Sequence, residues 1–437
     1  MSQAREPGLV LRGVLWLVLL GPLFFISYGL ANQLTAGRSD VGSLVFAWEQ
    51  HMPLWPWTII PYWSIDLLYG LSFLLPRTRR EMDRHALALL TAQVLCVACF
   101  LLWPLRFTFE RPALDGLFGW LFDVLMGFDK PFNQAPSLHI TLLVILWTMF
   151  ARHLHRQPWR WLMHGWMALI GLSVLTTWQH HFIDLPTGAL AGCLCLWLWP
   201  SQGRLPWQNI RLARAHKCWW LALAYALGAA ACAGVAFTLG GAWLWLAWPS
   251  LSLALVALNY AVLGAGGFQK GSDGRLSCAA VALFAPYLLG AWVNSRLWTW
   301  RQPHPDEVCE GVFLGRIPGV GERLGQAAIV DLCAELPCVV AGQQAYRVFP
   351  ALDLIAPDNG LLLEAATSIE HLRQQGPVLV CCALGYSRSA SAVAAWLIVS
   401  GRCADADQAE RLLRQVRPRI VLHPAHRQVL QRLGAHR

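Results

Sequence analysis

Apolar runs about 20 residues long, enough for a helix to cross the hydrocarbon of a bilayer, recur from the N-terminus to residue 294. A chain built this way has few folds open to it. Backbone groups in lipid must be satisfied internally, and a helix does that within one segment. Composition agrees: 56% of the 437 residues are hydrophobic, only 14% are charged, and 24 are tryptophan, whereas soluble domains carry about 25% charged residues. An integral membrane protein is expected, in a membrane of the bacterial inner type.

Six spans are read in the first half, at residues 9–31, 54–76, 85–105, 138–154, 160–178 and 183–200. The connecting segments "PRTRREMDRH" (76–85), "ARHLHRQPWR" (151–160) and "RLPWQNIRLARAHK" (204–217) are basic, which marks cytoplasmic loops. The N-terminus is then inside, and the chain returns inside after span six. Two further spans are expected at 218–238 and 242–264. The stretch 276–294 is shorter and carries Pro286; a ninth span, a re-entrant piece and an interfacial anchor all stay open. The N-terminal apolar run is too long for a signal peptide and reads as a retained span.

The formal charge of +9 sits in these loops and forms no basic stripe with interleaved aromatics, so nucleic acid is not an expected partner. The 13 cysteines show no paired metal-ligand spacing, and neither a metal, a cofactor nor a disulfide framework is expected. From about residue 303 the composition becomes that of a soluble domain. "GVFLGR", "AAIVDL" and "GPVLVCC" read as buried strands, and three intervening or following segments as helices by apolar spacing. Alternation of this kind implies an α/β domain with a partly parallel sheet. The expected division is 1–205, a six-span bundle; 206–300, additional spans and linker; and 303–437, a soluble α/β domain.

Within the spans, "QAPSLHI" (134–140) and "WQHHFIDLPTG" (178–188) put His139, His180 and Asp184 on one side of the predicted bundle. Titratable groups near a bilayer core are costly and mark function by default. A histidine can attack phosphorus while a carboxylate holds its other ring nitrogen, and a second histidine can protonate a leaving alcohol. Asp184 follows His180 by four residues, one face of a helix, and Arg111 offers a bidentate clamp for phosphate oxygens. His181 reads as a structural neighbour.

These motifs resemble the type 2 phosphatidic acid phosphatase superfamily. "PSLH" stands for its P-S-G-H, and "HHFID" fits its H-x-x-x-D. The resemblance implies His180 as nucleophile, Asp184 as its partner and His139 as acid. Its K-x6-R-P motif is half kept: Arg111-Pro112 fits, position 104 is proline, and Arg106 stands nearby as a substitute. The arginine expected after Ser173 is Val174. That departure, with "PSLH" and the doubled histidine, brings the chain closer to the inositol phosphorylceramide and sphingomyelin synthase branch, whose members transfer lipid headgroups. Hydrolase and transferase both stay open.

In the soluble part, "VLVCCALGYSRSA" (378–390) contains Cys382 followed at six residues by Arg388. A strand, a tight loop and a helix start make an anion site of successive N–H groups. Arg388 adds a planar fork for two oxygens, and the same positive field favours a thiolate at Cys382. Gly385 permits close backbone approach, and Ser389 can donate to the departing thiolate. The stretch resembles the loop H-C-x-x-G-x-x-R-S of dual-specificity protein tyrosine phosphatases, with Cys381 in place of the histidine. The likeness runs over about 310–435 and implies an upstream aspartic acid as general acid. Asp353, in "YRVFPALD", and Asp358 are the candidates, and Asp353 fits the family run better; Asp331 reads as a strand-end residue.

A membrane phosphatase acting on phosphorylated lipids is the expected function. A headgroup transferase fused to a phosphatase, and a membrane-anchored protein phosphatase, are the alternatives. Eight spans place the cysteine domain in the cytoplasm and nine place it outside. A catalytic thiolate with five other cysteines in the domain suits a reducing compartment. The substrate and oligomeric state stay unspecified.

Overall fold

The computed structural model describes residues 5–435 except 209, 320, 321, 323, 324 and 340–343. It comprises two compact units, Met1–Leu205 and Pro206–Arg437.

The first unit is helical: α1 (Leu9–Ala36), α2 (Ile59–Ser72), α3 (Arg79–Leu102), α4 (Gly116–Phe128), α5 (Leu138–His153), α6 (Gln157–Thr176) and α7 (Asp184–Leu198). Two differences from the sequence reading have plain causes. Segment 76–85, read as a loop, is mostly the start of α3. Thr78 Oγ1 accepts the Glu81 N–H at 3.1 Å while Glu81 Oε2 accepts the Arg77 N–H at 2.9 Å, a reciprocal cap that starts a helix among basic residues. Residues 106–135, between the expected spans 85–105 and 138–154, contain α4, whose 13 residues are too few for a span.

The α5–α7 contact shapes this unit's polar site. A Cβ on Gly188 would stand 2.7 Å from the Ser137 carbonyl, and one on Gly192 would stand 2.8 Å from Val144 Cβ. Two glycines four apart on α7 therefore let the helices close in, as small residues do in membrane helix pairs. That approach brings the start of α5, with Ser137 and His139, beside His180 and Asp184.

The second unit begins with α8 (His216–Leu239) and α9 (Ala247–Leu258), which continues through a π-helical turn (Asn259–Leu263) and a 3-10 turn (Gly264–Phe268); α10 (Cys278–Thr299) follows, unbroken at Pro286. Among the described residues, five helices are long and apolar enough to cross a membrane: α1, α3, α8, the run Gly241–Phe268, and α10.

The α/β part then adds β1 (Asp306–Cys309), β2 (Val312–Arg316), β3 (Ala328–Cys333), β4 (Ala345–Ala351), α11 (Asn359–Arg373), β5 (Val378–Cys382), α12 (Arg388–Val399), α13 (Ala406–Val416) and α14 (Pro424–Ala435). The sheet order is β1-β2-β5-β3-β4. Within this sheet, among the described residues, β1–β2 is antiparallel and the other pairings are parallel. Both faces are covered, so β3 and β5 are wholly buried, which is why they read as continuous apolar runs. Central β5 ends at Cys382, at the carboxyl edge where open α/β sheets bind ligands.

Candidate active site

Strand alternation separates the two adjacent cysteines. Val378, Val380 and Cys382 belong to the core cluster beneath α11 and α12, whereas Leu379, Cys381 and Ala383 belong to the cluster on the opposite face. Only Cys382 is turned into the loop that follows. Its Sγ accepts the Gly385 N–H at 3.3 Å and the Ser389 hydroxyl at 3.2 Å. Gly385 has φ +75°, and a Cβ there would stand 2.4 Å from Gly315 C. Glycine is thus required both for the left-handed turn and for the approach to β2. Arg388 opens α12, so the loop wraps around a helix N-terminus, where N–H groups and the helix dipole favour an anion.

The Cys381 thiol is a different group. Its hydrogen bond with Cys338, and then burial, push its pKa well above the ordinary thiol value. It stays protonated and does not compete as nucleophile.

Arg388, almost wholly buried, is oriented by three partners. Glu335 takes both terminal nitrogens, at 2.7 and 2.6 Å; the Ala351 carbonyl accepts at 2.9 Å; and Asp353 Oδ1 lies at 3.0 Å. Burial alone would raise the Glu335 carboxyl, but Arg388 outweighs it and holds Glu335 below the ordinary value. Burial likewise opposes charge on Arg388, and Glu335 followed by Asp353 carries its pKa well above normal. Glu335 lies just past β3 inside "AAIVDLCAE", and the sequence reading assigned it no role. A carboxylate directly after a buried strand was the available signal, since such residues are rarely buried unless paired.

Of the two candidate acids, Asp353 reaches Arg388. Asp358 caps α11, its Oδ1 accepting the Leu361 N–H at 2.8 Å. The segment after β4 is tethered from the helices: the Tyr260 hydroxyl donates to the Asp353 carbonyl at 3.1 Å. Tyr260 stacks on Tyr225, whose ring also meets Tyr287. One tyrosine from each of the three helical runs therefore gathers beside this loop. His426 places Nε2 3.0 Å from Ser387 Oγ; burial lowers its pKa to about 4, so it is neutral at physiological pH. Asp331 is enclosed, bound by Lys270 Nζ at 2.6 Å, the Tyr346 hydroxyl at 2.7 Å and the Cys333 N–H at 2.7 Å.

The first unit brings three of its five expected residues together. His180 Nδ1 lies 3.0 Å from Asp184 Oδ2, and its Nε2 lies 3.2 Å from Ser137 Oγ. His139 stacks on Tyr62 at 4.1 Å, and its Nε2 is buried without a hydrogen-bond partner. His139 and His180 line one cavity of about 290 Å³ together with Asp129, Tyr28 and Tyr62. Asp129 accepts from both tyrosines, at 2.6 and 3.2 Å; neither it nor Ser137 was singled out from sequence. Arg111 and Arg106 line a separate cavity with Trp178 and Gln179. The Arg111 guanidinium donates to the Thr177 and Trp178 carbonyls and lies over Phe122. His181 pairs with Glu49 at 3.0 Å.

Residues 359–434 match the family model described as "Dual specificity phosphatase, catalytic domain". That stretch carries Cys382, Gly385, Arg388 and Ser389; Glu335 and Asp353 precede it. Among solved structures, the chain is similar to PTPMT1 in complex with PI(5)P, at 18% identity over 30% of this chain and 94% of that one, TM-score 0.26. It is similar to Tk-PTP in the active form at 26% identity over 31% and 99%, TM-score 0.28. Human DUSP28 shows 25% identity over 30% and 96%, TM-score 0.28. None of the curated proteins compared matches the chain.

The C-terminal domain is a dual-specificity-phosphatase-like catalytic domain. The protein is accordingly an enzyme, a phosphoric monoester hydrolase.

Proposed function

We propose that the protein is an integral membrane phosphatase whose cysteine site hydrolyses phosphomonoesters of membrane lipids. The observation that carries the chemistry is Cys382 Sγ receiving two hydrogen bonds at the base of a helix-start loop whose arginine is pre-oriented. A thiolate so held attacks phosphorus, and Arg388 spans two phosphate oxygens. Asp353 gives its proton to the leaving alcohol. Water, giving a proton to the Asp353 carboxylate left by the first step, then attacks the phosphocysteine, and Ser389 supports the thiolate as the S–P bond breaks. The apolar spans supply the lipid part of the reading: a domain tethered to the bilayer meets lipid headgroups at high effective concentration. The cysteine domain is assigned to the cytoplasm.

A second reading concerns the helical unit. The short His180–Asp184 contact, with His139 and Ser137 beside it, suits a phosphohistidine site of the type 2 phosphatidic acid phosphatase kind, on the extracytoplasmic side. Separation of Arg106 and Arg111 from that cavity leaves its phosphate clamp unassembled in this state.

A panel of lipid phosphomonoesters assayed with wild type, Cys382→Ser and His180→Ala tests both. Cys382→Ser is expected to abolish hydrolysis of part of the panel, and His180→Ala to remove a separate part. Activity untouched by Cys382→Ser refutes the first reading. Activity untouched by His180→Ala reduces the helical unit to an anchor, and product formation that depends on added alcohol makes it a transferase.

A further inference from the structure

By length and composition α10 is a membrane span. Its contacts contradict that. At the N-terminal end, Lys270 Nζ is wholly enclosed by Asp331 and by the carbonyls of Cys333 and Leu336 at 2.7 and 2.6 Å. Four residues on, the Gly274 carbonyl accepts the Cys338 N–H at 2.9 Å. Along the helix, Ala291 packs against the cluster that contains Ile329, Leu379 and Cys381. At the C-terminal end, the Ser295 hydroxyl donates to the Ala383 carbonyl, the Tyr386 hydroxyl donates to the Trp298 carbonyl at 3.2 Å, and Arg316 donates to Thr299 at 3.2 Å. Both ends of one helix are thus fastened to the same α/β domain.

Twenty-two residues extend about 33 Å at 1.5 Å per residue, which is the thickness of the hydrocarbon layer, about 30 Å. Were α10 to cross that layer, β3, β5 and the phosphate loop would have to cross beside it. An open sheet with charged loops at both ends cannot do so, because its polar groups would lie unsatisfied in lipid. The helix therefore lies flat along the domain.

A second side packs on the preceding helical run, where the Trp248 indole donates to the Ala282 carbonyl at 2.9 Å and Phe268 meets Phe284 and Tyr287; a third side is open. Val281, Leu289, Trp292, Val293, Leu297 and Trp300 are between 39% and 66% exposed. Leu289, Val293, Leu297 and Trp300 recur at four- and three-residue spacing as an apolar stripe, with Trp292 beside it and Val281 about two turns earlier. Arg296 and Arg301 flank it, each near an indole ring, Trp292 and Trp300. Tryptophan with arginine at the edge of an apolar stripe suits the headgroup layer of a bilayer, basic side chains meeting anionic lipid.

We infer that α10 is an in-plane membrane helix that seats the cysteine domain on the cytoplasmic lipid surface. Residues 269–277 and the C-terminal domain then share one side, and the chain crosses an even number of times. Ala383 and Tyr386 of the phosphate loop are held by this helix, so Cys382 works one helix away from the headgroups. The inference rests on the membrane integration proposed above.

Full-length protein in right-side-out and inverted vesicles tests it, using a membrane-impermeant maleimide on Asp273→Cys and Glu364→Cys. Each is made with Cys278→Ser, which removes the exposed native thiol. Both cysteines are expected to label from the same side; labelling from opposite sides overturns the inference. A fluorophore at Leu289→Cys or Leu297→Cys, quenched by spin-labelled lipids in anionic vesicles, should report the same shallow depth at both. Depths differing by about 12 Å, the rise of eight helical residues, indicate a span, and absence of quenching indicates no lipid contact; either result overturns it. Chain that washes off vesicles at alkaline pH refutes membrane integration itself, whereas retained chain labelled from opposite sides refutes this placement alone.

Discussion

Glu335→Gln tests the claim that a buried carboxylate, absent from the expected site, sets the position of Arg388. The substitution keeps shape and removes charge. In the wild type Glu335 takes two hydrogen bonds from Arg388, and both side chains are at most 3% exposed. Breaking one side of a buried ion pair costs about 3–5 kcal/mol. Asp353 at 3.0 Å, itself 28% exposed, keeps the guanidinium partly paired, which places the expected loss at the lower end, about 3 kcal/mol. In a domain of this size that corresponds to a fall of about 10 °C in unfolding temperature. The phosphate clamp loosens as well, so KM for a soluble aryl phosphate should rise more than kcat falls. The assay pairs heat inactivation of the full-length protein with steady-state kinetics, with exposed Glu364→Gln as control. If Glu335→Gln matches the control in both measurements, the pair does not organise the site.

Three further outcomes are expected. Asp353→Asn should lower kcat about 10²–10⁴-fold for poor leaving groups and far less for a good one; an equal loss for both contradicts its role as acid. Lys270→Ala leaves Asp331 and two buried carbonyls without their shared donor and should cost about 3–5 kcal/mol, read as faster heat inactivation of the cysteine site; unchanged inactivation contradicts the claim that Lys270 fastens the start of α10 to the α/β domain. Stability should fall on the acid side. His426 is lowered from 6.5 to about 4, so its contribution is whole above pH 6.5 and is lost as pH falls through 4. Glu335, held below its ordinary 4.5, adds a loss further down, beginning below that value. A profile flat from pH 7 to pH 4 contradicts the first, and one with no further loss below pH 4.5 contradicts the second.

The α/β order and the phosphate loop were legible because they are local. A buried strand, a glycine that needs positive φ and an arginine six residues after a cysteine all lie within a dozen positions. The choice between Cys381 and Cys382 follows from the spacing to Arg388, and strand alternation then turns the other thiol to the opposite face. Tyr260 and Lys270 were not legible, since their partners lie 93 and 61 residues away and nothing local marks them; Glu335, 53 residues from Arg388, carried only the weak signal of a carboxylate just after a buried strand. Helix α10 shows the limit of composition. Its apolar character serves the domain on one face and an open surface on the other, and hydropathy does not distinguish that from a span. In the first unit, the pairing of His180 with Asp184 was readable from their four-residue spacing, although His180 stands in the turn before α7 and not on a helix face, whereas Asp129 reaches the same cavity only through α4.

Cys382 as the nucleophile of a phosphoric monoester hydrolase can be trapped by rapid acid quench of the full-length enzyme with a ³²P-labelled phosphomonoester. Label is expected on Cys382, increased in Ser389→Ala, where breakdown of the intermediate slows, and absent from Cys382→Ser together with turnover of that substrate. Undiminished turnover in Cys382→Ser, or label on Cys381 in the wild type, would contradict it.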